Sequence, residues 1–117
     1  MLAVIFEVVP SEGSTDAYLG IAASLRPELE KIDGFISVER FRSLTHPEKV
    51  LSLSFWRDEA AIAEWRTLES HRKAQQMGRD DVFADYRLRI AAVVRDYGMT
   101  ERAEAPVDSR RAHDRSG

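Results

Sequence analysis

The order in which two kinds of apolar periodicity follow each other constrains the fold of this chain more than any other feature of its sequence. Four segments, residues 2–9, 35–44, 49–56 and 82–97, have the alternating or β-branched content of strands. Apolar residues recur at helical spacing between the first and second segments, and again between the third and fourth. The predicted order is β-α-β-β-α-β, the pattern of a ferredoxin-like α+β sandwich with a four-stranded antiparallel sheet and its helices on one face.

Each predicted helix contains a point at which it is expected to be interrupted. The apolar pattern of the first helix continues to Ile32, and Pro27 within it removes a backbone hydrogen bond and is expected to kink or divide the helix. Asp58 is placed to cap the second helix over residues 59–66. A second cap at Thr67 or Ser70 predicts a separate short helical piece that continues to about residue 77.

The third predicted strand presents different side chains to its two sides. They fall into two alternating sets, Leu51, Leu53 and Phe55 on one side and Ser52, Ser54 and Trp56 on the other. The sheet face away from the helices is therefore expected to carry large apolar groups and to need a cover. A second copy of the chain is the simplest cover, because two-fold homodimers are the commonest oligomers. The chain is expected to form a homodimer.

Composition limits the partners and the compartment. The formal net charge of −3 gives no general attraction to nucleic acid or to an anionic membrane. No segment approaches the roughly 20 apolar residues of a membrane span. The absence of cysteine excludes disulfides, thiolate metal sites and a cysteine nucleophile, and it fits a reducing cytoplasm. No metal-ligand cluster, glycine-rich phosphate loop or Rossmann fingerprint appears, so a metal, flavin or nicotinamide site is not predicted.

The apolar pattern ends near Gly98. In residues 100–117 eight of eighteen residues are charged, and Val107 is the one sizeable hydrophobe. Such a segment cannot bury enough apolar surface to offset its conformational entropy. The sequence therefore predicts one domain over residues 1–98 and a flexible charged tail over residues 99–117.

Three separated stretches of the sequence carry a family resemblance. They are "GFISVERFRSLTHPEKVLSLSFWRDEAAIAEWR", "HRKAQQMGR" and "FADYRLRIAAVVRDYG". Together they resemble the antibiotic biosynthesis monooxygenase domain family, and within it the haem-degrading-monooxygenase-like branch, over about residues 2–98. The resemblance implies a ferredoxin-like homodimer whose two sheets form a shared α+β barrel. It also implies a monooxygenase, because the family includes quinone-forming enzymes that need no cofactor and enzymes that degrade haem.

The residue pattern of the haem degraders is matched only in part. Those enzymes use an Asn on the first strand, a Trp on the helical segment and an axial His ten residues after the Trp. Trp65 matches the Trp, Gln75 stands at the His position, and His71 lies one turn earlier. The chain has no Asn, and its first strand offers Phe6 and Glu7. The leading expectation is therefore a cofactor-independent monooxygenase acting on a planar aromatic or quinol-like molecule.

Two alternatives stay open at this point. One is a haem-binding or haem-degrading monooxygenase that uses His71 as an out-of-register ligand, so haem is the one cofactor that the resemblance offers. The other is a non-catalytic dimeric module that binds a small hydrophobic or aromatic ligand.

The candidate site residues lie mostly in the stretch from 64 to 79. Trp65 and His71 are the candidate catalytic residues, Trp65 as an aromatic wall and His71 as the acceptor of a proton from an acidic phenol or hydroquinone. Arg72 and Gln75 are candidates for substrate binding, with Arg72 placed to hold an oxyanion. The other candidates for substrate binding are aromatic residues that could line a planar pocket: Phe41, Trp56 and Phe83.

A structural role for the same residues is the alternative. Trp65 also fits a core position, and residues 71–79 also fit the solvated side of a helix. Charged residues on the strands, such as Arg40, are expected to lie on a solvated or dimer-contacting face and to form ion pairs. Arg87 and Arg89 are alternatively placed to bind an acidic ligand across a dimer.

Overall fold

The predicted order of strands and helices is confirmed. The computed structural model describes residues 1–75 and 82–109, and for residues 69–75 it describes the backbone alone. The elements are β1 (Leu2–Pro10), α1 (Thr15–Leu29), β2 (Phe35–Arg42), β3 (Val50–Trp56), α2 (Glu59–Gln75) and β4 (Phe83–Ala92). The strands form one antiparallel sheet in the order β2-β3-β1-β4. The fold is the expected ferredoxin-like α+β sandwich.

Both helices are undivided, so the expected divisions at Pro27 and at Thr67 are wrong. Pro27 lies in the last turn of α1, where one lost hydrogen bond does not divide the helix, and α1 ends at Leu29. Helix α2 continues through Thr67, whose hydroxyl donates to the carbonyl of Ala63 at 3.1 Å. The side chain is therefore satisfied inside the helix and does not cap a new one. Within the described residues, no helix is long and apolar enough to cross a membrane.

The junction between β2 and α2 is held by an arginine. The guanidinium of Arg57 donates to both carboxylate oxygens of Asp33, each at 3.1 Å, and to Asp58 at 3.1 Å. Asp58 also caps α2, as its sequence position predicts, by accepting from the backbone N–H of Ala61 at 3.0 Å. That capping bond, with the one from Arg57, lowers the pKa of Asp58. The start of α2 is thereby fixed against the start of β2.

Strand β4 ends at Ala92, five residues before the predicted end. Its neighbour β1 begins at Leu2, which pairs with Ala92, so no strand remains for the later residues to pair with. The last contact along this edge is the N–H of Val93, which donates to the carbonyl of Met1 at 3.0 Å.

The segment after β4 makes hydrogen bonds of its own as far as residue 109. Arg102 donates to the carbonyl of Gly98 at 3.0 Å and to Ser109 at 2.8 Å, and Ala105 is buried. Residues 110–117 lie outside the described residues. The domain boundary at residue 98 and the flexibility of the tail stay predictions.

The helix-facing side of the sheet carries the core. Trp56 and Val8 are fully buried there and anchor two apolar clusters, one against α1 and α2 and one against α1. Ser52 and Ser54 share this side with Trp56, because side chains alternate along a strand. On the opposite side, the apolar set Leu51, Leu53 and Phe55 is half-buried. Large apolar groups thus lie on both faces of the sheet, as expected.

Candidate functional site

A cavity of about 710 Å³ lies between the helix-facing side of the sheet and the two helices. This volume is in the range of pockets that enclose small organic ligands. Its floor includes Ser52 and Ser54, which are small, at positions where a packed core would hold large apolar side chains. The serines therefore leave open space in the middle of the sheet. Helix α2 contributes Ile62, Trp65 and Arg66 to the lining.

A pair of tryptophans forms one wall of the cavity. Trp56 of β3 and Trp65 of α2 stack with their ring centroids 6.4 Å apart and their planes 29° apart. Trp56 is held in place by its indole N–H, which donates to the hydroxyl of Ser54 at 2.8 Å, and by Phe35, whose ring lies edge-on at 5.3 Å. Trp65 is half-buried, packs against the core and lines the cavity. Its predicted roles as core residue and as aromatic wall are both compatible with this position.

A second aromatic group lines the other end of the cavity, beside β1 and β4. The ring of Phe83 lies 5.9 Å from Phe6, 5.7 Å from Tyr18 and 6.0 Å from Tyr86, each at a steep angle. All four residues line the cavity. Edge-to-face packing of this kind fixes the ring orientations at this end of the cavity.

The floor of the cavity changes from polar to apolar across the sheet. In the strand registers Arg40 of β2 is opposite Ser52 of β3, Ser52 is opposite Phe6 of β1, and Phe6 is opposite Leu88 of β4. All four side chains line the cavity. Arg40 therefore does not lie on a solvated or dimer-contacting face. Its Nε is buried and has no hydrogen-bond partner among the described residues.

The structure brings together three of the aromatic or catalytic candidates, Trp56, Trp65 and Phe83. It does not bring Phe41 to them. Phe41 pairs with Leu51 and shares the sheet face away from the helices, where it is 43% exposed. Neighbouring residues of a strand point to opposite faces, so the cavity receives Arg40 in its place.

The remaining candidates lie in the last two turns of α2. His71, Arg72 and Gln75 are helical in their backbone, and their side chains lie outside the described residues. Their roles stay predictions. Since α2 is continuous, Trp65 and Leu68 pack against the core from one stripe of the helix, as their spacing predicts.

The two first-strand residues that the chain offers in place of the family's Asn have separate environments. Phe6 lines the cavity, and Glu7 lies on the opposite face, where it pairs with Arg89 and with Lys49, the latter at 3.5 Å. The hydrogen bond from Arg89, together with the charge of Lys49, lowers the pKa of Glu7. Glu7 is thus an ionised, paired carboxylate outside the cavity, and Arg89 is engaged by this pair.

Several cavity residues were not among the sequence candidates: Tyr18, Arg40, Ser52, Ser54 and Tyr86. One signal for some of them was present in β3. Ser52, Ser54 and Trp56 follow each other at every second residue of the strand, so their side chains point to the same face. A core position for Trp56 therefore places both serines on the helix-facing side.

The chain is similar to known proteins in both sequence and structure. A family model described as "Antibiotic biosynthesis monooxygenase" matches residues 1–77. The "Jasmonate monooxygenase ABM" of Pyricularia oryzae is 50% identical over 116 residues, which cover 97% of this chain and 54% of that protein. The chain thus spans about half the length of this relative. The uncharacterized protein YqjZ of Bacillus subtilis is 32% identical over 93 residues, which cover 80% of this chain and 79% of YqjZ.

Solved structures share the fold at low sequence identity. Rv0793 from Mycobacterium tuberculosis has a TM-score of 0.69 and 14% identity, and the match covers 83% of this chain and 98% of that one. A variant of MhuD with two manganese protoporphyrin IX molecules bound per active site has a TM-score of 0.69 and 17% identity, over 84% of this chain and 99% of that one. These similarities establish the fold alone.

Proposed function

This chain belongs to the antibiotic biosynthesis monooxygenase family, and we propose that it is a monooxygenase acting on a small, mainly apolar molecule. One observation carries the proposal: the cavity of about 710 Å³ between sheet and helices, with aromatic walls at both ends. The relative that is 50% identical over 116 residues is named as a jasmonate monooxygenase, and this name supports an oxygenation reaction. A mostly apolar lining also favours such a reaction, because it keeps water from a reactive anion.

The first substrate class that we propose is a planar phenol or quinol-like molecule, oxidised without a resident cofactor. A phenol with a hydrogen on the carbon to be oxidised reacts with one O₂ to give a quinone and one water. One oxygen atom enters the ring and the other leaves as water, and the substrate itself supplies all four electrons. The protein then needs to hold the ring, accept the phenolic proton and stabilise the anion.

In this proposal the tryptophan pair holds the ring. Trp56 is fixed by its hydrogen bond to Ser54, and Trp65 presents its indole to the cavity. We propose His71 as the proton acceptor and Arg72 as the group that stabilises the oxyanion, with Gln75 as a further polar contact. These three assignments rest on residue type and sequence position.

Jasmonate is a second candidate substrate, favoured by the name of the Pyricularia oryzae relative, which is 50% identical to this chain. Jasmonate is an oxidised cyclopentane that carries a carboxylate and a short apolar chain. Insertion of oxygen at one of its saturated carbons consumes one O₂ and two further electrons with two protons, and gives an alcohol and water. This reaction therefore needs an external reductant, whereas quinone formation does not.

Haem and simple binding are the remaining alternatives. Gln75 stands at the position of the axial His that the family's haem degraders use, and a neutral amide is a poor ligand for haem iron. A defined Soret shift on haem titration, lost in His71→Ala, would favour the haem alternative.

We also propose that the protein is a homodimer. Leu51, Leu53 and Phe55 are half-buried on the sheet face that the helices leave uncovered, and Phe41 is exposed beside them. A second sheet packed on this face would cover these groups.

Oxygen uptake measured with and without NADPH and a reductase tests the proposed reaction. A phenolic substrate is expected to consume one O₂ per molecule without reductant, and one atom of ¹⁸O₂ is expected in the quinone. Uptake only with jasmonic acid plus reductant would favour the second substrate class. Tight binding of both compounds without any oxygen uptake would contradict the proposed monooxygenase activity and favour a non-catalytic binding module.

A further inference from the structure

We propose that Arg40 binds an acidic group of the ligand, so that the cavity selects an amphipathic anion over a neutral molecule of the same shape. The inference rests on the proposed function, because it takes the helix–sheet cavity as the ligand site. It names the substrate class: a carboxylate or a similar oxyanion attached to an apolar body.

In the part of the chain that the structure describes, the guanidinium of Arg40 lacks a partner for a buried donor. Arg40 is half-buried at the β2 side of the cavity, and its Nε is buried without a hydrogen-bond partner among the described residues. Within the same part of the chain no carboxylate is placed to form an ion pair with it; its neighbour Glu39 lies on the opposite face of the strand. Buried polar groups almost always have a partner, and guanidinium stays charged at any ordinary pH. An oxyanion in the cavity would supply the missing acceptor.

A row of paired side chains crosses the sheet from Arg40. The hydroxyl of Ser52 is its direct cross-strand neighbour, and Phe6 and Leu88 continue the row onto β1 and β4. Neighbouring strands lie about 4.8 Å apart, so the three steps of the row span about 14 Å. A ligand that lies along it meets a cation, then a hydroxyl, then an aromatic ring and an aliphatic side chain. This order of groups is complementary to a ligand that has one acidic end and an apolar body of up to about 10 Å.

Positive charge predominates among the described residues that line the cavity. Arg66 of α2 also lines it and adds a second positive charge. The one acidic residue of the described lining, Asp85, pairs with Val9 at the far side of β1, three strands from Arg40. An anionic group is therefore attracted to the Arg40 end, which fixes the direction in which the ligand lies.

Two fluorescent probes of nearly the same shape test this inference. 8-Anilino-1-naphthalenesulfonate carries a sulfonate that N-phenyl-1-naphthylamine lacks, and both fluoresce in apolar sites. The native protein is expected to bind the sulfonate at least about 10-fold more tightly. Arg40→Met is expected to weaken the sulfonate by about 10–100-fold, the range for a lost charged hydrogen bond, and the neutral probe by less than about 3-fold.

Arg87→Met is the matched control, because it removes one positive charge from the sheet face away from the cavity. It is expected to leave both affinities unchanged, which separates contact with Arg40 from the general effect of net charge. Arg40→Lys keeps the charge and is expected to weaken the sulfonate by less than about 10-fold and to leave the neutral probe unchanged. The Lys variant decides alone if Arg40→Met does not fold.

Equal affinity of the native protein for the two probes would overturn the proposal. So would an equal loss of both probes in Arg40→Met or Arg40→Lys, because it would show that Arg40 only shapes the cavity. Failure of the proposed function is separate from these outcomes. A protein that binds the sulfonate through Arg40 and consumes no oxygen with any substrate would refute the enzyme and leave the anion site standing.

Discussion

Trp56 and Trp65 stack across the interface between sheet and helix, with 6.4 Å between their ring centroids. Trp56 is fully buried and tied to Ser54, whereas Trp65 is half-buried and lines the cavity. The pair therefore connects the rigid core directly to the proposed ligand site. A change in the support of Trp56 should be transmitted to the cavity wall, because the two rings are in contact.

Ser54→Ala tests the support of Trp56. The change leaves the buried indole N–H without its acceptor, and an unsatisfied buried donor costs about 1–3 kcal/mol of unfolding free energy. Ser52→Ala is the matched control, since Ser52 is equally buried on the same strand and is not bonded to Trp56. Urea unfolding followed by fluorescence is expected to show the larger loss for Ser54→Ala. Equal losses would show that the indole bond contributes nothing specific.

Gly34→Ala is expected to loosen the junction that positions α2. Gly34 has φ of 95°, and an added Cβ would lie 2.9 Å from the Cβ of Ala61. Both backbone strain and a steric clash therefore oppose the substitution, and a loss of about 2–4 kcal/mol is expected. Gly13→Ala has a similar φ of 79° with open space around the Cβ, so it measures the strain alone. Thermal unfolding of both variants checks the difference, and equal losses would contradict the clash.

Two features of this site show how far the sequence could be read. The alternation in β3 predicted that Leu51 and Ser52 face opposite sides, and the structure confirms it. It could not say which side faces the helices, because both faces of the sheet carry apolar groups. Phe41 and Arg40 are adjacent, and a one-residue choice decides which of them enters the cavity. Residue type favoured Phe41, whereas the pairing of Arg40 with Ser52 places the arginine there.

Thr67 shows the same limit for helices. Its residue type and position are compatible with a cap of a new helix and with a place inside a longer one. The hydrogen bond from its hydroxyl to Ala63, four residues earlier, is a property of the continuous helix and is visible only in the structure. The order of strands and helices was predictable because each element is indicated by the periodicity of many residues together. Single side chains in the site were not, because each depends on one register or one hydrogen bond.

The ion pairs of Glu7 predict that the folded state loses stability at low pH. Arg89 and Lys49 lower the pKa of Glu7 below the ordinary value of 4.5, so the folded state favours the carboxylate more than the unfolded state does. That stabilisation is fully present above pH 4.5 and is lost as the pH falls through the lowered folded pKa. Melting temperatures measured from pH 6 down to pH 2 should therefore fall less steeply for Glu7→Gln than for the native protein. Parallel curves for the two proteins would contradict this assignment.

Leu53→Glu tests the proposed homodimer. Leu53 is half-buried at the centre of the sheet face that the helices leave uncovered, and a charge there cannot be covered by a second sheet without a large desolvation cost. Sedimentation equilibrium at micromolar concentration is expected to give twice the mass of one chain for the native protein and one chain for the variant. Glu39→Gln, at an exposed edge position of the same face, should stay dimeric. A native monomer would contradict the proposal.

His71→Ala tests the proposed proton acceptor against a purely structural role for the end of α2. If His71 accepts the phenolic proton, oxygen uptake with a phenolic substrate should fall by roughly 10²–10⁴-fold, the usual effect of losing a general base, while probe binding is retained. Trp65→Phe keeps an apolar wall, so it should raise KM more than it lowers kcat. A pH profile of kcat/KM strengthens the test, because the limb that reports ionisation of the general base should disappear in His71→Ala. Undiminished uptake and an unchanged profile in a folded His71→Ala variant would remove His71 from the mechanism and leave the cavity with its tryptophans as the site.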